Sequence, residues 1–327
     1  SRFGRHRLSV VSKCLVLYRC LVRFAGRYRL EGLLGEGGAA STHRAFDEVR
    51  GELVALKVLR SGAAALEASL LRELEVLGPL AHPSLAAVLD HGRASHEGEV
   101  RAYYAARLVR GPPLTALAAR GWGALAGPLL DVLEALHVLH GAGFRHGDLG
   151  PPNILVDASG RGVLIDLGCA APLGEASEAV SGTPGFLAPE LLEGRAADAR
   201  ADLFAFGRTV EALAALAGPP PEPWRALAAR CVAAAPGDRP SEAAELLEAL
   251  GEGRRLLFGR SAESGRLVGR DAELARGEAI LGALLSGEPG SRVLAVDGPP
   301  GSGRSRLLAA LKRSAQPRCE VVEIDAR

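Results

Sequence analysis

Apolar and polar residues alternate around glycines from residue 28 to residue 59. Tyr28–Leu34, Ser41–Asp47 and Glu52–Leu59 each carry a two-residue period, which puts successive side chains on opposite faces of a strand. Three short antiparallel strands are the expectation. The period then changes, and Leu66, Leu70, Leu74 and Leu77 recur at helical spacing within Ala63–Leu77. Leu85–Gly92 and Val100–Val109 return to strand-like patterning. From Leu114 to about Leu250 the spacing is mostly helical, interrupted from Gly143 to Pro189, with Pro- and Gly-rich breaks at 218–223 and 236–240. A strand-rich part followed by a helix-rich part reads as an α+β fold in two lobes. Glu252–Arg266 is rich in Gly and Arg and reads as a linker. Arg292–Val296, Gly298–Gly303 and Ser305–Lys312 then give strand, loop and helix, the start of an α/β unit. The chain divides into an unassigned extension at 1–23, a two-lobed domain at 24–251, a linker at 252–266 and the beginning of a second domain at 267–327.

Composition narrows the classes. Apolar residues make up 48% of the 327 and aromatics only 4%, so a sizeable core has to be built from Leu, Ala and Val. The net charge of +1, from 39 basic and 38 acidic residues, gives no bulk attraction to nucleic acid or membrane. Cys14, Cys20, Cys169, Cys231 and Cys319 are scattered with no CxxC pair, which argues against a disulfide framework or zinc site and for a reducing cytoplasm. Leu8–Phe24 is the nearest approach to a membrane-spanning run, and Lys13, Arg19 and Arg23 interrupt it. The chain has no methionine and starts at Ser1, so it reads as a fragment. Arginine outnumbers lysine 36 to 3, and asparagine occurs once. A rare residue inside a motif therefore carries more information than usual.

Several motifs carry chemistry. Leu34-Gly35-Glu36-Gly37-Gly38 lies between two expected strands, where glycines let backbone N–H groups approach phosphates. A hairpin turn is the plainer reading of that stretch alone. Lys57 stands on the strand Val54-Ala55-Leu56-Lys57-Val58, and Glu73 on the following helix is placed to hold it. His146-Gly147-Asp148-Leu149-Gly150-Pro151-Pro152-Asn153 sets a carboxylate and the single asparagine five residues apart on a loop. One can orient a hydroxyl nucleophile while the other ligates a metal. Asp166 ends the strand Val163-Leu164-Ile165 beside Gly168, a position suited to Mg²⁺.

Taken together, in order and spacing, these residues resemble the eukaryotic-type Ser/Thr protein kinases that also occur in bacteria, over about residues 24–251. The resemblance implies the protein kinase fold, with a small β-rich lobe and a large helical lobe. Gly35 and Gly37 match its phosphate-covering loop, Lys57 and Glu73 its small-lobe ion pair, and His146, Asp148 and Asn153 its catalytic loop. Asp166 matches the metal-binding Asp-Phe-Gly position, with Leu167 in place of Phe. Gly182-Thr183-Pro184-Gly185-Phe186 and Ala188-Pro189-Glu190 match the end of the activation segment in its Ser/Thr form. Asp202 and Arg239 match two buried anchors, Arg239 being the expected partner of Glu190. By this resemblance ATP and Mg²⁺ are the cofactors and a Ser/Thr-bearing protein is the substrate. Leu34, Gly35, Gly37, Gly38, Ala55, Lys57, Arg107, Val109 and Leu155 contact nucleotide, with Ala106 a small gatekeeper before the hinge Arg107-Leu108-Val109. Asn153 and Asp166 hold metal, and Asp148 takes the substrate hydroxyl.

The departures from the pattern are specific. Ala40 replaces the third loop glycine and Thr42 the following valine. Gly147 stands where many kinases have an arginine that receives an activation-loop phosphate, so activity independent of that phosphorylation is expected. Gly150 stands where Ser/Thr kinases usually carry a lysine near the transferred phosphate. The span from Asp202 to Arg239 is short, so a helix that often docks substrates or partners is trimmed or absent. Further on, Leu267–Leu274 resembles the start of AAA-type ATPase modules. Gly298-Pro-Pro-Gly-Ser-Gly303-Arg304-Ser305 fits a P-loop with arginine for lysine, in which Gly298, Gly303, Arg304 and Ser305 face phosphate. Two other readings stay open. One is a pseudokinase or ATP-binding regulatory module acting on an attached ATPase, which Gly150 favours. The other is a small-molecule kinase, which the Gly182–Glu190 segment opposes.

Overall fold

The computed structural model describes residues 23–37, 40–60, 74, 78, 80, 82–96, 98–176, 182–252, 270–286, 295–297, 307, 308, 310, 311 and 315. Most of the expected helix Ala63–Leu77, with Glu73, lies outside these residues. So do residues 1–22, Gly38, and Gly298, Gly303, Arg304 and Ser305 of the P-loop-like stretch.

The small lobe is one antiparallel sheet. Its strands are β1 (Arg23–Phe24), β2 (Tyr28–Glu36), β3 (Ala40–Asp47), β4 (Glu52–Leu59), β5 (Val88–His96) and β6 (Glu99–Arg107), in the order β1-β2-β3-β4-β6-β5. The alternation in sequence becomes two faces. Val54, Leu56 and Val58 of β4 are buried with Tyr28, Ala45, Tyr103 and Ala105 in a small apolar cluster. Ala55 and Lys57 point the other way, toward the large lobe. Phe24 and Tyr28 meet Tyr103 edge-on, with ring centroids 5.2 and 5.7 Å apart, so three rings supply volume to the core of a thin sheet. Behind them Arg27 is buried between Asp47 and Asp90, with N–O distances of 2.6 and 2.7 Å. Asp47 also accepts from the N–H groups of Val49 and Arg50, closing the β3–β4 turn.

The large lobe is built around α1 (Trp122–Gly141). Among the described residues this is the one helix long and apolar enough to span a membrane, and 67% of its apolar window is buried inside the fold. Its two acids do structural jobs there. Asp131 accepts from the Gly162 N–H at 2.9 Å, and Glu134 lies 3.7 Å from His82. Gly162 lies so close to α1 that a Cβ there would sit 2.2 Å from the Pro128 carbonyl oxygen. The interruption expected at Gly143–Pro189 contains two small antiparallel pairs, β7 (Phe144–Arg145) with β10 (Ala171–Pro172), and β8 (Ile154–Val156) with β9 (Gly162–Leu164); of these four strands only β9 was expected, as Val163–Ile165. After them come α2 (Pro189–Leu192), α3 (Ala199–Ala217), α4 (Trp224–Cys231) and α5 (Ala243–Ala249). Gly218–Pro223 joins α3 to α4 with no helix between them. The docking helix expected to be trimmed is thus replaced by a short Pro-rich link, fixed by the Trp122 indole N–H donating to the Gly218 carbonyl at 2.8 Å.

Further along, α6 (Asp271–Leu285) packs its Gly277 against Leu311. Residues 307, 308, 310 and 311 are helical as expected, whereas Ala295 and Val296 are not in a strand.

The expected Glu190–Arg239 pair is present, fully buried and bidentate at 2.7 and 2.9 Å. Arg239 also donates to the carbonyls of Ala233, Ala234 and Arg200, so all five guanidinium N–H groups are used. It stacks over Phe204 at 4.9 Å as well. Glu190→Gln keeps the shape and leaves a buried cation without its counter-charge. Urea denaturation is expected to show a loss of roughly 3–5 kcal/mol, and a loss below about 1 kcal/mol would mean the pair anchors nothing.

Candidate active site

Strand register brings the first part of the site together. On β4, Lys57 pairs across to Tyr104 of β6, and Ala55 pairs with Ala106. The Lys57 ammonium reaches the Asp166 carboxylate, with Nζ 2.5 Å from Oδ1. The Tyr104 hydroxyl donates to the same Oδ1 at 2.8 Å, and the Gly168 N–H at 3.1 Å. Asp166 sits in the left-handed region at φ 65°, ψ 78°, a conformation Asp tolerates better than most residues because its side chain bonds locally. Leu167, next in the chain, is buried in the main core. The bulky residue therefore turns inward while the carboxylate faces the cleft. Burial pushes the Asp166 carboxyl up. The Lys57 charge and the bonds from Lys57, Tyr104 and Gly168 outweigh it and hold the group below the usual carboxylate range. Burial and the neighbouring carboxylate push the Tyr104 phenol well above its ordinary value, so it stays a donor.

The catalytic loop is held from below. Asp202 accepts from the backbone N–H of His146 at 2.6 Å and of Gly147 at 3.0 Å, and from His140 Nε2 at 2.8 Å. His146 takes the Asp148 N–H on Nδ1 at 3.3 Å, so its Nε2 carries the proton and donates to the Ile165 carbonyl at 3.0 Å. That single imidazole ties the Asp148 loop to the Asp166 strand. The Ile165 N–H donating to the Asn153 carbonyl at 2.9 Å is a second tie. Asn153 donates its amide to the Asp148 carbonyl at 2.7 Å and to Asp148 Oδ2 at 3.0 Å, which leaves its Oδ1 as the end available to a cation. Asp148 Oδ1 accepts from both the N–H and the hydroxyl of Thr183, at 2.7 and 2.8 Å.

The other residues expected to contact nucleotide fall on several elements. Leu34 and Gly35 are on β2, and the Gly37 N–H bonds the Ala40 carbonyl at 2.9 Å to close the glycine loop. Gly35 has open space where a side chain would be. Arg107 spends its N–H on the Ala87 carbonyl and its guanidinium on the Pro83 carbonyl. Val109 lies in the irregular stretch after β6. Leu155 is half-buried between the buried Ile154 and Val156, so it points away from the core. Glu73, Gly38 and the four P-loop-like residues lie outside the described part. Two residues went unrecognised in the sequence. Tyr104 reads there as one more apolar strand position. Arg145 is buried on β7 with no bond from its Nε.

Comparison with known proteins agrees with the geometry. A family model described as the protein kinase domain matches residues 28–225, more than half of the chain. The chain belongs to the protein kinase family. The DNA damage-responsive serine/threonine-protein kinase RqkA of Deinococcus radiodurans is 38% identical over 214 residues, covering 60% of this chain and 30% of that protein. The serine/threonine-protein kinase PknA of Mycobacterium tuberculosis is 34% identical over 198 residues, covering 57% and 46%. The chain thus spans less than half the length of either relative. The crystal structure of the M. tuberculosis PknI kinase domain superposes with a TM-score of 0.57 at 28% identity, covering 72% of this chain and 98% of that one. These relatives place the chain among bacterial-type Ser/Thr protein kinases.

The two glycines that depart from the kinase pattern differ physically. Gly150 is extended, at φ −174° and ψ 167°, and a Cβ there would meet only the Phe186 ring at 3.6 Å. Gly147 is left-handed at φ +78°, and a Cβ there would lie 2.2 Å from the Cys169 carbonyl oxygen and 3.2 Å from an Arg145 nitrogen. Gly147→Ala is therefore expected to cost about 1–3 kcal/mol from backbone strain alone, read as a lower thermal midpoint. An unchanged midpoint would mean the loop does not need this conformation.

Proposed function

We propose that the chain transfers the γ-phosphate of Mg·ATP to Ser or Thr hydroxyls of proteins. The observation that carries this is the left-handed Asp166, with Leu167 buried, its carboxylate turned toward Lys57 and tied through Ile165 to Asn153. The donors left over are one carboxylate oxygen and one carboxamide oxygen, both hard ligands of the kind that hold Mg²⁺ together with substrate phosphates. Asp166 and Asn153 would hold the metal, which would supply positive charge to offset the negative charge of the phosphates. Lys57 would exchange part of its contact with Asp166 for the α- and β-phosphates. Asp148 would orient the incoming hydroxyl and accept its proton, and Asn153 and Thr183 fix its rotamer beforehand. The Thr183 contact supports a Ser/Thr preference, since the hydroxyl of the segment itself already reaches the catalytic carboxylate.

The finer parts of the reading are proposals on the same footing. The kinase unit spans 24–251, a linker follows at 252–266, and 267–327 begins a P-loop ATPase domain in which Arg304 replaces lysine. Cytoplasmic residence rests on the scattered cysteines, of which Cys169 and Cys231 form no disulfide among the described residues. Independence from activation-loop phosphorylation rests on Gly147.

A second reading, an ATP-binding regulatory module, is favoured by one observation. Gly150 carries no side chain in a place where the extended backbone would allow one, so that position supplies no cation to the transferred phosphate. Labelled phosphate from Mg·ATP, offered to the protein itself and to a generic basic Ser/Thr substrate, separates the two. Incorporation is expected, with a drop of at least about a hundredfold in Asp148→Ala and no change after phosphatase treatment. No incorporation, with ATP still raising the thermal midpoint, would favour the regulatory module. Since the extended backbone at 150 accepts any residue, Gly150→Lys is expected to raise the turnover number, by up to about a hundredfold. An unchanged rate would mean that another group already neutralises the phosphate.

A further inference from the structure

Tyr104 is the polar group of the cleft that the proposed chemistry leaves without a task. Its ring is buried on β6 and its backbone is fixed from both sides, by register with Lys57 on β4 and with His91 on β5. An apolar side chain would serve equally well as core at that place. A phenol reaching 2.8 Å to a carboxylate is a different matter. Three donors, from Lys57, Tyr104 and Gly168, converge on Oδ1 of Asp166. Among the described residues, Oδ2 accepts from none, and the side chain keeps 30% of its exposure.

We propose that Tyr104 is a positioning residue for metal binding, holding Oδ1 of Asp166 so that Oδ2 is presented to the divalent cation that arrives with ATP. The proposal rests on the kinase reading above. A carboxylate with two equivalent oxygens rotates unless one is held. The Gly168 N–H is a local bond that follows Asp166 wherever it turns. Lys57 is drawn off in part when phosphates enter. Tyr104 alone is both remote in sequence and uninvolved with nucleotide. It is also neutral, so it restrains the carboxylate without cancelling the charge that attracts the cation. Its side chain has two rotatable bonds, which keeps the ordering cost low.

Tyr104→Phe removes the hydroxyl and keeps the ring. Calorimetry would measure the dissociation constant of ATP with excess Mg²⁺ and with EDTA, for wild type and variant. The expected result is an unchanged metal-free affinity and a gain on adding Mg²⁺ that is smaller by roughly tenfold or more, the usual worth of a hydrogen bond to a charged group. Spin resonance of free Mn²⁺ titrated with protein and ATP reads the same loss independently of turnover. In an Asp166→Asn background, Tyr104→Phe is expected to change neither quantity, because the carboxylate it orients is gone. A full Mg²⁺ gain in the variant, or equal weakening with and without metal, would overturn the positioning role. A wild type that gains nothing from Mg²⁺ would overturn the kinase reading, and this proposal with it.

Discussion

The site depends first on one buried carboxylate. Asp202 is 1% exposed, and a charge so placed is costly unless its lone pairs are filled. Here they are filled by two consecutive backbone N–H groups of the catalytic loop and by His140. Burial pushes the Asp202 carboxyl up, but the bonds and charge of His140, the nearby His146 and the Gly147 N–H bring it below the ordinary range. The loop therefore satisfies the anion, and the anion fixes the loop. Everything above it inherits that geometry: His146 as the tie to Ile165, Gly147 in its left-handed bend, and Asp148 between Asn153 and Thr183.

A second constraint is that strand pairing and loop geometry must agree to within a bond length. Lys57 comes from an antiparallel sheet and Asp166 from the end of a separate hairpin, yet their charged atoms meet at 2.5 Å. The agreement is secured by backbone contacts between the lobes. Leu85 bridges to Leu164, and the Ala86 and Leu164 N–H groups bond across to the carbonyls of Leu164 and Ser84. His82 begins that connection. Burial and nearby Arg161 lower its pKa to about 4, so it stays neutral beside Glu134 and accepts the Ser84 N–H on Nδ1.

Much of this was legible in the sequence, for identifiable reasons. Period-two alternation fixed the strands of the small lobe to within a few residues. Tyr28–Leu34 was read short by two at its end, because Gly35 and Glu36 look like turn residues and pair as strand. The start expected at Leu85 was three residues early, since Leu85 makes only an isolated bridge. Asp148, Asn153 and Asp166 were visible because polar residues at fixed spacing on loops have few other uses. The missing docking helix was visible as simple shortness. Of the small pairs only β9 was visible, as the strand Val163–Ile165; β7, β8 and β10 were not, since two- and three-residue strands are set by tertiary partners rather than by pattern. Tyr104 escaped for a related reason. In an alternating strand Tyr counts as apolar, and only the fold shows that its hydroxyl ends beside a carboxylate from 62 positions further on.

The start of α3 carries a load beyond its own length. Asp198 caps it by accepting the Arg200 N–H at 2.9 Å. The Arg200 carbonyl receives Arg239, which grips Glu190 at the end of the activation segment. Two residues further on, Asp202 holds the 146–147 backbone. The first turn of one helix thus joins the loop that carries Asp148 to the segment that ends at Glu190. In the language of local unfolding they form a single cooperative unit. Fraying of that helix end would therefore remove the Asp202 support of residues 146–147 and the Arg200 support of Arg239 together.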